Sequence, residues 1–149
     1  VKNLTLVIFT FFLFLPFTIF GNQADKTVSL TINVENLRNS KGIVQFALYN
    51  KDGSIPDENF KKSYKILKGK IIEGSSVITF RDIPIGTYAV NIFHDENNNG
   101  EIDKGFIFPT EGIGFSNFET IGFSNKPSFK KASFNLNADK VMSVKIIYL

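Results

Sequence analysis

The stretch TVSLTINVENL, Thr27–Leu37, decides the fold. Val28, Leu30, Ile32 and Val34 alternate with Ser29, Thr31, Asn33 and Glu35, and an apolar side chain at every second position is the period of a strand with one face buried and the other in water. Outward from this stretch the same pattern recurs. After the turn NSKG, the segment GIVQFALYN sets Val44, Phe46 and Leu48 on one face and ends at the turn signal KDGS. SYKILKGKII, SSVITFRDI, GTYAVNIFHD, SFKKASFNL and VMSVKIIYL add five further strand candidates, each bounded by Gly, Pro, Asn or Asp. Seven strands predict an all-β protein: a single antiparallel β-sandwich, immunoglobulin-like or transthyretin-like. Tyr88, Val90 and Ile92 are expected to point into it, opposite the Val28–Val34 set or the Val44–Leu48 strand, with Ala89 and Asn91 facing the other way. Only PDENFKKSYK has the makings of a helical turn or two, opened by Pro56 and Asp57.

The chain before this region has a different character. Leu4–Phe20 is an uncharged apolar run with Lys2 before it and polar NQADK after it, the layout of a secretory signal peptide. As a helix it would span roughly 25 Å at about 1.5 Å per residue, short of the roughly 30 Å hydrocarbon core of a bilayer. Residues 1–21 are therefore expected to be a cleaved signal peptide, and residues 22–149 one β-sandwich domain in a secreted or periplasmic location, with no stable membrane span after cleavage. The full chain carries 17 Lys and Arg against 14 Asp and Glu, a formal net charge of +3. No dense basic stripe is interleaved with aromatics, so nucleic acid is a poor partner. With no cysteine, stability has to come from the core, from a bound metal ion, or from both. The one basic cluster, Lys61, Lys62, Lys65, Lys68 and Lys70, reads as a solvated face, with a site for an anionic polymer or lipid headgroup as the alternative.

The most informative polar stretch is HDENNNGEIDKGF, His94–Phe106. Counted from Asp95 as position one, Asn97 stands at three, Asn99 at five, Gly100 at six, Glu101 at seven and Asp103 at nine. These are the offsets of the oxygen donors of an EF-hand-type calcium loop, with Glu101 giving its main-chain carbonyl and Gly100 allowing the sharp turn. Position twelve is Phe106, which has no donor, so the loop alone offers about five oxygens to an ion that takes six to eight. Glu111 in PTEGIG is the first candidate to complete the shell, ahead of Asp52, Asp57, Glu119 or water. The competing reading is an Asn-rich turn between strands, since Asn and Asp tolerate left-handed backbone and bond to their own main chain. Neither flank has helical periodicity, so a helix-flanked EF-hand is not expected. If calcium binds, the missing glutamate predicts weak affinity, on the order of 10⁻⁴–10⁻³ M.

Signals for catalysis are thin. His94 continues the buried alternation of Tyr88, Val90 and Ile92, where a histidine usually bonds a loop carbonyl; as the sole histidine in a chain without cysteine it excludes multi-histidine and Cys/His zinc sites. Ser116 in GFSNF and Ser124 in GFSNK lack the second glycine of a G-x-S-x-G elbow. The doubled IGFSN, Ile113–Asn117 and Ile121–Asn125, is too short a series for a solenoid and reads as a long loop with turns.

The series FRDIPIGTYAVNIFHDENNNGEID, PTEGIGFSN, PSFKKASFNL and SVKIIYL resembles the exported bacterial family catalogued as domain of unknown function 2141, over roughly residues 28–149. The resemblance implies a secreted or periplasmic β-sandwich with no established activity. DIPIGTYAV is similar to the strand and turn of transthyretin-like and carboxypeptidase-regulatory sandwiches, and DENNNGEID to calcium loops of bacterial adhesin repeats, which implies Asp95, Asn97, Asn99, Glu101 and Asp103 as donors. The expected function is a binding or structural module of the cell envelope with a calcium loop, partnered by an envelope protein or polysaccharide, and not an enzyme. Two alternatives stand beside it: a hydrolase of cell-surface polymers using Asp95, His94 or Glu111, and a carbohydrate-binding module presenting Tyr49, Tyr64, Phe118 or Phe123.

Overall fold

The computed structural model describes residues 26–106 and 109–149; the signal peptide expected at residues 1–21 lies outside the described residues. Among these the chain forms β1 (Thr27–Val34), β2 (Ile43–Tyr49), β3 (Lys65–Gly69), β4 (Ser76–Pro84), β5 (Gly86–Asp95), β6 (Gly112–Phe115), α1 (Phe129–Ala132), β7 (Phe134–Leu136) and β8 (Lys140–Ser143). One sheet has the order β4-β1-β8; the other has the order β3-β2-β5-β6, with β7 paired to β5. The two pack face to face as the sandwich that the alternation predicts.

The alternating residues supply the inner core. Leu30, Ile32 and Val34 of β1, Phe80 of β4, Val44, Phe46 and Leu48 of β2, and Val90 and Ile92 of β5 are fully buried in one cluster with Tyr88. Outside this core, Thr31 and Thr79 of the β1–β4 pair share a 2.8 Å hydroxyl contact, a cross-strand pair that holds register on the polar face. β3 forms one edge of its sheet, and exposed Lys65 and Lys68 lie along it. Charge on an edge strand discourages pairing with another chain, which gives part of the lysine cluster a structural role.

Four expectations are corrected. The sandwich is not wholly antiparallel, because β8 runs parallel to β1, from Leu30 opposite Lys140 to Asn33 opposite Ser143. SFKKASFNL is not one strand: Ser128 accepts the Lys131 amide as an N-cap, and Phe129 and Ala132, three apart, bury on one side of the short α1 before β7 begins. PDENFKKSYK is not helical; the Asp57 carboxylate takes the Lys62 amide at 2.7 Å and Phe60 adopts a left-handed φ of 56°, which ends any helical turn. The segment expected as a loop contains β6.

Both faces of β5 are covered, which a single alternating pattern does not imply. Asn91 and Ala89 do face away from the inner core, yet not into water: Ala47, Tyr49, Phe60, Ala89, Phe93, Phe115 and Phe129 belong to a second buried cluster on the outer side. Beyond β8 the chain changes sheets. Val144 donates its amide to Asn33 O of the first sheet, whereas Ile147 exchanges both backbone bonds with Ile113 of β6. Gly114 makes this crossing possible, since a Cβ there would lie 2.1 Å from Lys145 O.

Candidate functional site

The loop expected to bind metal leaves the end of β5, where His94 and Asp95 are held from two sides. Val44 and Ile43 of β2 pair with them, and Gly112 of β6 pairs with His94. Gly42 closes the neighbouring turn with φ +66°, and a Cβ there would meet Asp95 O at 1.8 Å, so only glycine fits. His94 is fully buried. Its Nε2 lies 2.9 Å from Lys41 O, an acceptor, so this nitrogen carries the proton; Nδ1 faces the Tyr148 hydroxyl at 2.7 Å. Both ring nitrogens are thus engaged in holding the strand end.

Asp95 is 1% exposed. Its Oδ1 accepts the Asn99 amide at 3.0 Å and its Oδ2 the Gly100 amide at 2.9 Å, while left-handed Asn98 and Gly100 turn the chain back toward it. Asn97 and Asn99 accept the main-chain amides of Asn99 and Glu101 through their side-chain oxygens. Their side-chain amides donate to the two oxygens of Asp103, at 2.6 and 3.2 Å. The structure therefore joins Asp95, Asn97, Asn99 and Asp103 in one hydrogen-bonded group, with Glu101 following Asn99 on the exposed rim.

Glu111 is 5% exposed and closes the loop from below, taking the Glu96 amide on Oε1 at 2.9 Å and the Asp103 amide on Oε2 at 3.1 Å. The lesser candidates are engaged elsewhere: Asp52 with its neighbouring Gly53 amide, Asp57 with Tyr49 and Lys62, and Glu119 with Lys145. Phe106, at the twelfth position, is fully exposed.

The chemistry of this group suits a hard cation. Its donors are all oxygens, and each carboxylate keeps free lone pairs beyond the bonds it accepts. The amide hydrogens on Asp103 place partial positive charge where a cation would offset the same carboxylate. Among the described residues no three His, Cys, Asp or Glu side chains converge as a metal-holding group, so an ion here depends on asparagine and main-chain oxygens for much of its shell. Calcium accepts such donors; softer metals favour nitrogen or sulfur.

Residues remote in sequence brace the loop. Arg38 pairs with the Glu96 carboxylate, donates to Thr110 O at 3.0 Å and lies 4.6 Å over the Tyr148 ring. Asn39 donates to Glu96 Oε2 at 2.7 Å. Burial disfavours the Glu96 carboxylate, but Asn39 and Arg38 outweigh it and hold its pKa below the ordinary glutamate value. Burial pushes the Tyr148 phenol up, against the opposing Arg38. Of the aromatics proposed for sugar binding, Tyr49 and Phe118 are buried, while Tyr64 and Phe123 are exposed.

The fold and the loop define a small two-sheet sandwich with an oxygen-rich turn at the end of a central strand. Residues 32–145 match the family described as uncharacterized proteins conserved in bacteria (DUF2141), and the chain belongs to it. No curated protein and no solved structure matches the chain. Among the described residues no helix is long and apolar enough to cross a membrane.

Proposed function

We propose that this chain is an exported β-sandwich module with a binding or structural role in the cell envelope, and that its 95–111 loop takes up one calcium ion with low affinity. The observation that supports the ion is the buried Asp95 carboxylate, fixed by two backbone amides and linked through Asn97 and Asn99 to Asp103. Asp95, Asn97, Asn99, the Glu101 carbonyl and Asp103 are the donors, with Glu111 or water completing the shell. Bound calcium supplies the charge that neutralises Asp95 and Asp103 together. At about ten times its dissociation constant it stabilises the fold by roughly 1.4 kcal/mol through mass action.

Titration calorimetry and thermal melts with and without millimolar calcium test this. Asp95→Ala is expected to lose the calcium-dependent rise in melting temperature, whereas Glu96→Ala, less stable throughout, keeps it. Absence of heat and of any melting shift in the parent protein would return the segment to a turn. Export is tested separately: mass spectrometry of the native protein from an extracytoplasmic fraction should find its N-terminus close to Asn22.

A further inference from the structure

A pocket of about 290 Å³ lies on the outer side of the second sheet, beside the loop. Its walls are apolar, formed by Ile102, Ile113, Phe115, Ile121 and Pro127, and Asn91 of β5 contributes a polar group to the lining. Asn91 is 3% exposed, and its Oδ1 is buried without a hydrogen-bond partner among the described residues. An unmet buried acceptor costs about 1–3 kcal/mol, and here it borders a space large enough for a molecule to supply the missing donor.

The neighbouring groups restrict what that molecule is. The Tyr49 hydroxyl, buried on the same side of the sheet, donates to Asp57 Oδ2 at 3.4 Å. Tyr49 is therefore spoken for, and the charged residues of the lining balance: Asp57 and Glu58 stand against Lys104 and Lys126, with Lys104 paired to Glu58. A donor is wanted, and a lining without net charge suits an uncharged molecule. Since a dry cavity of about 150 Å³ holds benzene, this volume suits one or two rings.

We propose that the pocket binds a small, uncharged, ring-containing apolar molecule that presents one N–H or O–H to Asn91 Oδ1. The inference is independent of calcium binding, because none of the loop's oxygen donors lines the pocket.

Indole and benzofuran, nearly isosteric and differing in the N–H, are the probes, followed by amide chemical-shift titration of the purified protein. Indole is expected to give saturable shifts centred on Asn91, Ile113, Phe115 and Ile121, and benzofuran to bind at least fivefold more weakly. Asn91→Leu should remove or reverse that preference. Should this buried change prevent folding, Ile121→Trp, at a half-buried position on the wall, fills the space and should abolish binding of both probes. Equal affinity of the parent for indole and benzofuran, shifts centred elsewhere, or no saturable shift with indole would each overturn the proposal.

Discussion

Glu96 links the loop to pH, although it sits at a non-donor offset. Its carboxyl is held below the ordinary glutamate value despite burial, by Asn39 and Arg38. A lowered folded-state pKa contributes stability that is complete above the unfolded value and is lost as pH falls through the folded one. Glu96→Gln should therefore be less stable than the parent at neutral pH, and denaturant melts taken down through the acid range should show the two converging. Gly114 is a second residue with a decisive local role. Gly114→Ala sets a Cβ against Lys145 O and the Ile92 side chain, and should cost about 1–3 kcal/mol or more as overpacking, measured by chemical denaturation. The grouping of Asp95, Asn97, Asn99 and Asp103 was legible because they are near neighbours in sequence whose spacing is itself the signal. Arg38 and Tyr148 were not: their contact bridges 110 positions, and no local pattern encodes it. Asn91 was placed on the correct side of its strand, but the lack of a partner for its oxygen depends on segments folded over it.

At the scale of elements, β5 organises the molecule. Ile92 faces the inner core and Phe93 the outer one, both fully buried. Ile92→Ala should cost about 2–5 kcal/mol and Phe93→Ala about 3–5 kcal/mol in equilibrium unfolding; a loss within about 0.5 kcal/mol for either would contradict its assigned face. The two IGFSN copies show how identical residues acquire different roles. Ser116, in the first, accepts the Val90 amide and donates to Ala132 O while fully buried; Ser124, in the second, is exposed. Ser116→Ala should cost about 1–3 kcal/mol by stranding those groups, and Ser124→Ala should lie within about 0.5 kcal/mol of the parent by the same melts. β1 was readable because one of its faces alone meets the core, and β2 and β5 because their inner-face residues still alternate through Val44, Phe46, Leu48, Tyr88, Val90 and Ile92. β6 was not, because its glycines carry no side-chain signal and serve a backbone crossing from far along the chain. α1 was hidden for a related reason, its brevity leaving only Ser128 and the Phe129–Ala132 spacing to mark it.

For the whole molecule, the two apolar clusters lie on opposite faces of the same pair of strands, β2 and β5. Neither can melt while the other keeps those strands in place, so unfolding should be a single transition. Far-UV circular dichroism and tyrosine fluorescence, the latter sensing Tyr88 in the inner cluster and Tyr49 in the outer, should give coincident curves; separate midpoints would mean that the outer layer is an independent unit. The parallel pairing of β1 with β8 has a temporal consequence. Its flank is fastened by Ser29 and Asp139, 110 residues apart, and contacts of such long separation form late and slowly. During synthesis β1 waits for its neighbour until nearly the whole described chain has emerged from the ribosome. Until then the growing polypeptide lacks the strand that completes its first sheet, and one edge of β1 stays open.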